Sequence, residues 1–205
     1  MDFHAAHFVT SAARLDGCPV DSEVEVAFAG RSNAGKSSAI NALTNQPRLA
    51  RTSKTPGRTQ LINFFLLEPG RYLVDLPGYG YAKVPLEVKN KWQEELERYL
   101  RYREPLAGLV LLSDVRHPLK EFDRMMIQWA VQAELPLHLL LTKADKLKRG
   151  AAKNALLAVR SELKELANVS VQLFSVNQPD TIKNLGRTLS DWLQPPADND
   201  IADAP

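Results

Sequence analysis

The chain has 205 residues, 44% of them hydrophobic and 24% charged, with a formal net charge of +2. These are the proportions of a globular chain with one sizeable core, not of a disordered or fibrous one. No apolar run approaches the roughly 18 residues needed to span a bilayer. Cys18 is the single cysteine, so no internal disulfide forms, and the four histidines are scattered without the clustered ligands of a zinc site. The start of the chain lacks a basic segment followed by an apolar one, so the expectation is a cytoplasmic protein.

Residues 1–22 are mixed and non-periodic and read as a poorly structured N-terminal extension, although Phe3, Phe8 and Val9 could dock on a core. Glu23 to Ala29 is rich in strand formers and ends at Gly30; Ser37 to Asn45 reads as a helix. Gln60 to Leu67 and Arg71 to Leu76 form two strands joined by the turn Glu68-Pro69-Gly70. Glu87 to Arg101 is an amphipathic helix with Trp92, Leu96, Tyr99 and Leu100 on one face. Strands at Leu106–Ser113, Pro136–Thr142 and Val169–Ser175 then alternate with helices at Lys120–Gln132, Ala151–Leu166 and Thr181–Leu193. The Pro- and Asp-rich tail 195–205 is expected to be disordered. The result is a single domain over 23–194. Its class is α/β, a three-layer sandwich with a mostly parallel sheet and one antiparallel hairpin strand. Such sheets bind ligands at the carboxyl ends of their strands, so the loops there should carry the chemistry.

The loop after the first of these strands, Gly30-Arg31-Ser32-Asn33-Ala34-Gly35-Lys36-Ser37, fits the phosphate-binding P-loop pattern. Glycines let backbone N–H groups converge on an anion, and the following helix adds partial positive charge. Lys36 would reach the β- and γ-phosphates and the Ser37 hydroxyl would ligate Mg²⁺. Asp75-Leu76-Pro77-Gly78 leaves another strand: the carboxylate can hold Mg²⁺ through water, and the Gly78 N–H can meet a γ-phosphate. Thr142-Lys143-Ala144-Asp145 leaves a third. A carboxylate at Asp145 accepts two hydrogen bonds from guanine N1–H and N2–H₂, a pair adenine cannot offer, and Lys143 would lie along the base. Thr142 stands where such motifs usually have asparagine. Phe174-Ser175-Val176 would present backbone N–H groups to guanine O6. The loop Thr55-Pro56-Gly57-Arg58-Thr59 lies where a switch is expected. Thr59, preferred over Thr55 and Thr52 because it sits just before the strand, would ligate Mg²⁺ and sense the γ-phosphate, and Gly57, Arg58, Thr59, Gln60 and Leu61 are expected to contact GTP.

Taken together, Gly30–Ser38, Lys54–Phe64, Asp75–Ala82 and Thr142–Asp145 resemble the EngB (YihA/YsxC) family of bacterial GTPases, within the translation-factor-like group of P-loop GTPases. The Gly80-Tyr81 pair after Asp-Leu-Pro-Gly carries much of the resemblance, which runs from about Phe8 to Leu193. It implies a Ras-like fold, GTP binding with Mg²⁺ at Ser37 and Thr59, a role in assembly of the large ribosomal subunit, and a requirement in normal cell division and septation. The chain departs from the family at Ser175-Val176-Asn177, where a second small residue is usual, and in its tail.

Tyr79 occupies the position at which many GTPases carry a water-orienting glutamine. Hydrolysis is therefore expected to be slow, with stabilisation supplied by a partner or an ion; Asn33, at a P-loop position that ligates K⁺ in related GTPases, suggests K⁺. Arg48, Arg51, Lys54 and Arg58, with no acid between them, would meet ribosomal RNA in the GTP state. The protein is expected to be a monomer. Two other readings stay open: a nucleotide-stabilised scaffold for division proteins, and a small-molecule kinase built on the same P-loop.

Overall fold

A computed structural model describes residues 1–51, 61–79 and 86–194. The tail 195–205, the segment holding Gly57, Arg58, Thr59 and Gln60, and Gly80-Tyr81-Ala82 lie outside the described residues. The elements are β1 (His7–Ala12), β2 (Val24–Gly30), α1 (Lys36–Thr44), β3 (Ile62–Glu68), β4 (Arg71–Asp75), α2 (Leu86–Tyr102), β5 (Leu106–Asp114), α3 (Glu121–Gln132), β6 (Leu137–Thr142), α4 (Arg149–Leu163), β7 (Val169–Leu173) and α5 (Pro179–Trp192). They build one sheet in the order β1-β3-β4-β2-β5-β6-β7. Strands β4, β2, β5, β6 and β7 pair in parallel. Only β3 runs against its neighbours, pairing antiparallel with both β1 and β4. This is the expected α/β sandwich with one antiparallel hairpin strand.

Side-chain alternation along the strands splits the core in two. In β5, Leu109 and Leu111 join the cluster formed with Leu96, Tyr99, Met126, Ile127 and Val159 from α2, α3 and α4. Val110 and Leu112 join the opposite cluster, with Ile40 and Leu43 of α1 and Leu185 and Leu189 of α5. Central strands covered on both faces need apolar residues at every position, which is why β5 and β6 read as continuous Leu/Val runs. At the far end of β5, Gly108 is required by close approach: the Trp192 ring occupies the space a Cβ would fill.

The N-terminal segment differs from its expectation of being poorly structured. His7–Ala12 is an ordered edge strand on β3, and Phe3, 8% exposed, joins the core cluster of α1 and α5. Gln46 clamps this segment by donating to the carbonyls of His4 (3.0 Å) and Ala6 (2.7 Å), and the Phe8 ring meets Phe65 edge-on at 6.1 Å. The strand escapes a periodicity reading because it lies at an edge, with only Ala12 fully buried; hydrogen bonds to β3 hold it, not an alternating apolar face. The last strand ends at Leu173 instead of Ser175, and α5 starts two residues earlier than expected, with Pro179 in its first turn, where a missing N–H costs nothing.

One buried ion pair ties α2 to the sheet. Glu25 in β2 is fully buried and accepts from Tyr99 Oη (2.6 Å) and from Arg103, whose guanidinium also donates to the Pro19 carbonyl (2.7 Å).

Candidate functional site

The loops expected to carry chemistry converge at the carboxyl ends of β2, β4, β6 and β7, and the end of β5 lies among them. After β2 the P-loop turns on left-handed residues, Asn33 at φ 64° and Gly35 at φ 100°. An L side chain at position 35 would be strained by the backbone alone, since its Cβ would lie 4.0 Å from Thr142 Cβ, an ordinary contact. Gly35 caps α1, and the first amides of that helix have no intrahelical acceptors. They remain donors for an anion.

Lys36 and Asp75 form an ion pair, their side chains 12% and 7% exposed. Ser37 Oγ is 3.4 Å from the Arg51 carbonyl. After β4, the Leu76 amide donates to the Phe28 carbonyl (3.0 Å), and the Leu76 side chain is in the core. Gly78 packs on the P-loop, with its Cβ position 3.6 Å from the Ser32 amide nitrogen. Tyr79 forms a parallel bridge with Arg31: Ser32 N–H donates to the Tyr79 carbonyl (2.7 Å) and Tyr79 N–H to the Gly30 carbonyl (3.4 Å). The Tyr79 side chain turns away from the P-loop. It is 2% exposed, donates to Asp123 Oδ1 (2.6 Å), and lies 3.9 Å from Phe122 between ring centroids.

At the end of β6, the Thr142 hydroxyl is buried and donates to the Ala34 carbonyl (2.7 Å). The shorter residue in the asparagine position thus braces the P-loop. Lys143 adopts φ 58° and its ammonium lies over the P-loop, donating to the Asn33 carbonyl (2.8 Å) with Asp114 at 3.0 Å. Asp114 was missed by the motif reading, although its place at the end of a parallel strand marks it. The Arg116 guanidinium beside it, with help from Lys143, holds its carboxyl well below the usual carboxylate range. It is therefore a fixed anion that positions Lys143. A cavity of about 260 Å³ opens here, between Arg31–Ala34 on one side and Asp114, Lys120 and Lys143 on the other.

Asp145 is held from the β7 loop. Ser175 Oγ donates to Oδ1 (2.7 Å) and Asn177 Nδ2 to Oδ2 (3.3 Å), and the Ser175 hydrogen bond lowers the Asp145 pKa. Asn177, read as a departure from the family pattern, orients this carboxylate. The amides of the β7 loop are largely committed. Phe174 N–H donates to the Leu141 carbonyl (2.9 Å), Ser175 N–H to Thr181 Oγ1 (3.1 Å) and Asn177 N–H to Ser175 Oγ (3.2 Å). Of the three residues expected to present N–H groups there, Val176 remains; Ala144 N–H, in turn, donates to the Phe174 carbonyl. Leu61 stands just before β3, half-buried.

Comparison with known proteins bears on this geometry. Residues 25–143 match the family model described as "50S ribosome-binding GTPase". The chain is 56% identical over 204 residues to the "probable GTP-binding protein EngB" of Aeromonas salmonicida, covering 99% of this chain and 94% of that one. Among solved structures it resembles a probable GTP-binding protein EngB, with a TM-score of 0.66 and 23% identity over 83% of this chain and 98% of that one. It also resembles Aquifex aeolicus Era, with a TM-score of 0.62 and 17% identity over 84% and 57% of the two chains. At those identities the structural likenesses speak to the fold.

Proposed function

The chain belongs to the EngB family of GTP-binding proteins, and from that premise we propose that it is a slowly hydrolysing GTP switch in assembly of the large ribosomal subunit, needed for normal cell division and septation. The observation that carries the guanine reading is Asp145: an exposed-side carboxylate fixed by Ser175 and Asn177, beside a lysine that lies over the P-loop. The carboxylate would take guanine N1–H and N2–H₂, Lys143 would line the base and the Val176 N–H would meet O6.

At the phosphate end, the Ser32 and Ala34 amides are already bonded to the Tyr79 and Arg31 carbonyls. The remaining P-loop amides up to Ser37, with the Lys36 ammonium, would therefore bind the β- and γ-phosphates, Lys36 exchanging its partner Asp75 for phosphate oxygens. The Gly78 N–H would meet the γ-phosphate. Leu76, Pro77, Leu61 and Ala144 contribute backbone shape around the nucleotide. Among the described residues, no group of three or more His, Cys, Asp or Glu could hold a metal alone. The hard oxygens of Ser37 and Asp75 suit Mg²⁺, which keeps few protein ligands and shares phosphate oxygens. Mg²⁺ would neutralise charge on the phosphates, with Thr59, outside the described residues, as a further ligand. The buried Tyr79 side chain offers nothing to an attacking water, which supports slow turnover. Asn33, exposed on the P-loop, is the proposed K⁺ ligand; equal hydrolysis rates in KCl and NaCl would dismiss that part.

The ribosomal reading draws on the family model's description and on Arg48 and Arg51. These line a groove of about 880 Å³ that Phe8 and Phe65 share, a basic and aromatic surface suited to RNA. No described helix is long and apolar enough to cross a membrane; cytoplasmic location and a monomeric state are part of the same proposal. Calorimetric titration with GTP, GDP and ATP tests the core of it: guanine nucleotides should bind and ATP should not. A salt-dependent, GTP-selective association with ribosomal particles tests the rest, and equal association with GDP would count against the switch.

A further inference from the structure

Tyr79 is held twice. Its backbone exchanges hydrogen bonds with the P-loop at Ser32 and Gly30, and its side chain runs into the core to Asp123, the third residue of α3. Asp123 is 1% exposed. It also accepts from Ser113 Oγ (2.8 Å) and from the Lys120 amide (3.1 Å), and Ser113 Oγ accepts the Leu119 amide (3.1 Å). The carboxylate is thus fixed by β5 and by the start of α3 before Tyr79 adds its own bond. Gly78, one residue earlier, packs at van der Waals distance on the P-loop backbone, its Cβ position 3.6 Å from the Ser32 nitrogen and 3.7 Å from the Gly30 carbonyl oxygen.

We propose that Tyr79 is a positioning residue for the γ-phosphate: its hydroxyl, bonded to Asp123, pins Gly78 against the P-loop whichever nucleotide is present. The inference rests on the GTP reading above. A donor fixed in advance needs no reorganisation when charge arrives. Without the pin, Gly78 would sample other positions, and apparent affinity for a γ-phosphate would fall by the fraction of time it is misplaced. GDP, which lacks that phosphate, would not sense the change.

The test is titration of wild type, Tyr79→Phe and Ser113→Ala with GDP and with a non-hydrolysable GTP analogue. Tyr79→Phe keeps the ring stack and removes only the hydroxyl. It should bind GDP within about twofold of wild type and the analogue about five- to tenfold more weakly. Ser113→Ala removes another of the Asp123 bonds; it should melt earlier yet keep the wild-type ratio of the two affinities. An unchanged ratio in Tyr79→Phe, or equal weakening of both ligands, overturns the proposal while leaving the GTP reading intact. A wild-type chain that binds neither nucleotide overturns both. Should Tyr79→Phe not fold, amide exchange in the wild type decides. The Tyr79 amide should exchange equally slowly with GDP and with the analogue, and a tenfold difference between them contradicts the pin.

Discussion

A single hydroxyl at Thr142 shows how closely this site is braced. Donating to the Ala34 carbonyl, it ties the end of β6 to the P-loop, so the guanine and phosphate ends share one scaffold. Asp145 stands at the opposite extreme: its surroundings keep it ionised and aimed. Asp145→Ala should weaken GTP and GDP by about 2–4 kcal/mol, the worth of hydrogen bonds to a charged group, and should not create ATP binding in the same titrations. Gly35→Ala acts differently. At φ 100° it strains the backbone by about 1–2 kcal/mol, so both guanine nucleotides should bind less tightly while their ratio holds, as fluorescence titration would report. The motif residues were legible because phosphate and guanine chemistry admit few side chains. Asp114 and Asp123 were not, because they act through Lys143 and Tyr79 and no spacing announces such support. Tyr79 was legible only in what it is not, a glutamine; its buried partner on α3 depends on tertiary packing.

Among elements, α2 is tied to the sheet by a buried polar contact. Glu25→Ala would leave Arg103 partly buried without its carboxylate partner and Tyr99 without an acceptor. Removing one member of a buried pair costs about 3–5 kcal/mol, and urea denaturation should show that loss. Replacing both members by apolar residues of similar volume should recover much of it. The period-two and helical patterns placed nearly every strand and helix, since burial on one or two faces writes itself into sequence. They failed at β1, where the sheet's outer edge asks only for backbone pairing. Deleting residues 1–12 should therefore expose the edge of β3 and the Phe65 face. Light scattering would then report association absent from the full chain.

For the molecule as a whole, His138 sets a pH limit. Buried in β6, bonded to Ser170 (2.6 Å) and Gln172 (3.0 Å), it has its pKa lowered below 6.5 by burial. The unfolded chain thus binds a proton that the folded chain refuses, so stability is full above about pH 6.5 and declines as pH falls through and below it. Urea midpoints at pH 5.5 and 7.5 should differ in that sense, and less so in His138→Gln. The same region holds Trp192, whose ring covers Gly108 and meets His138 edge-on at 6.5 Å. The other two tryptophans sit with Phe122: Trp92 stacked on it at 5.3 Å and Trp129 edge-on at 6.2 Å, next to Tyr79. Light emission from the chain is thereby divided between two locations. Emission from Trp192 should therefore follow unfolding of the sheet's far end, whereas Trp92 and Trp129 should follow the aromatic neighbours of the nucleotide loop, so single-tryptophan versions would let global unfolding and ligand response be recorded as separate optical signals.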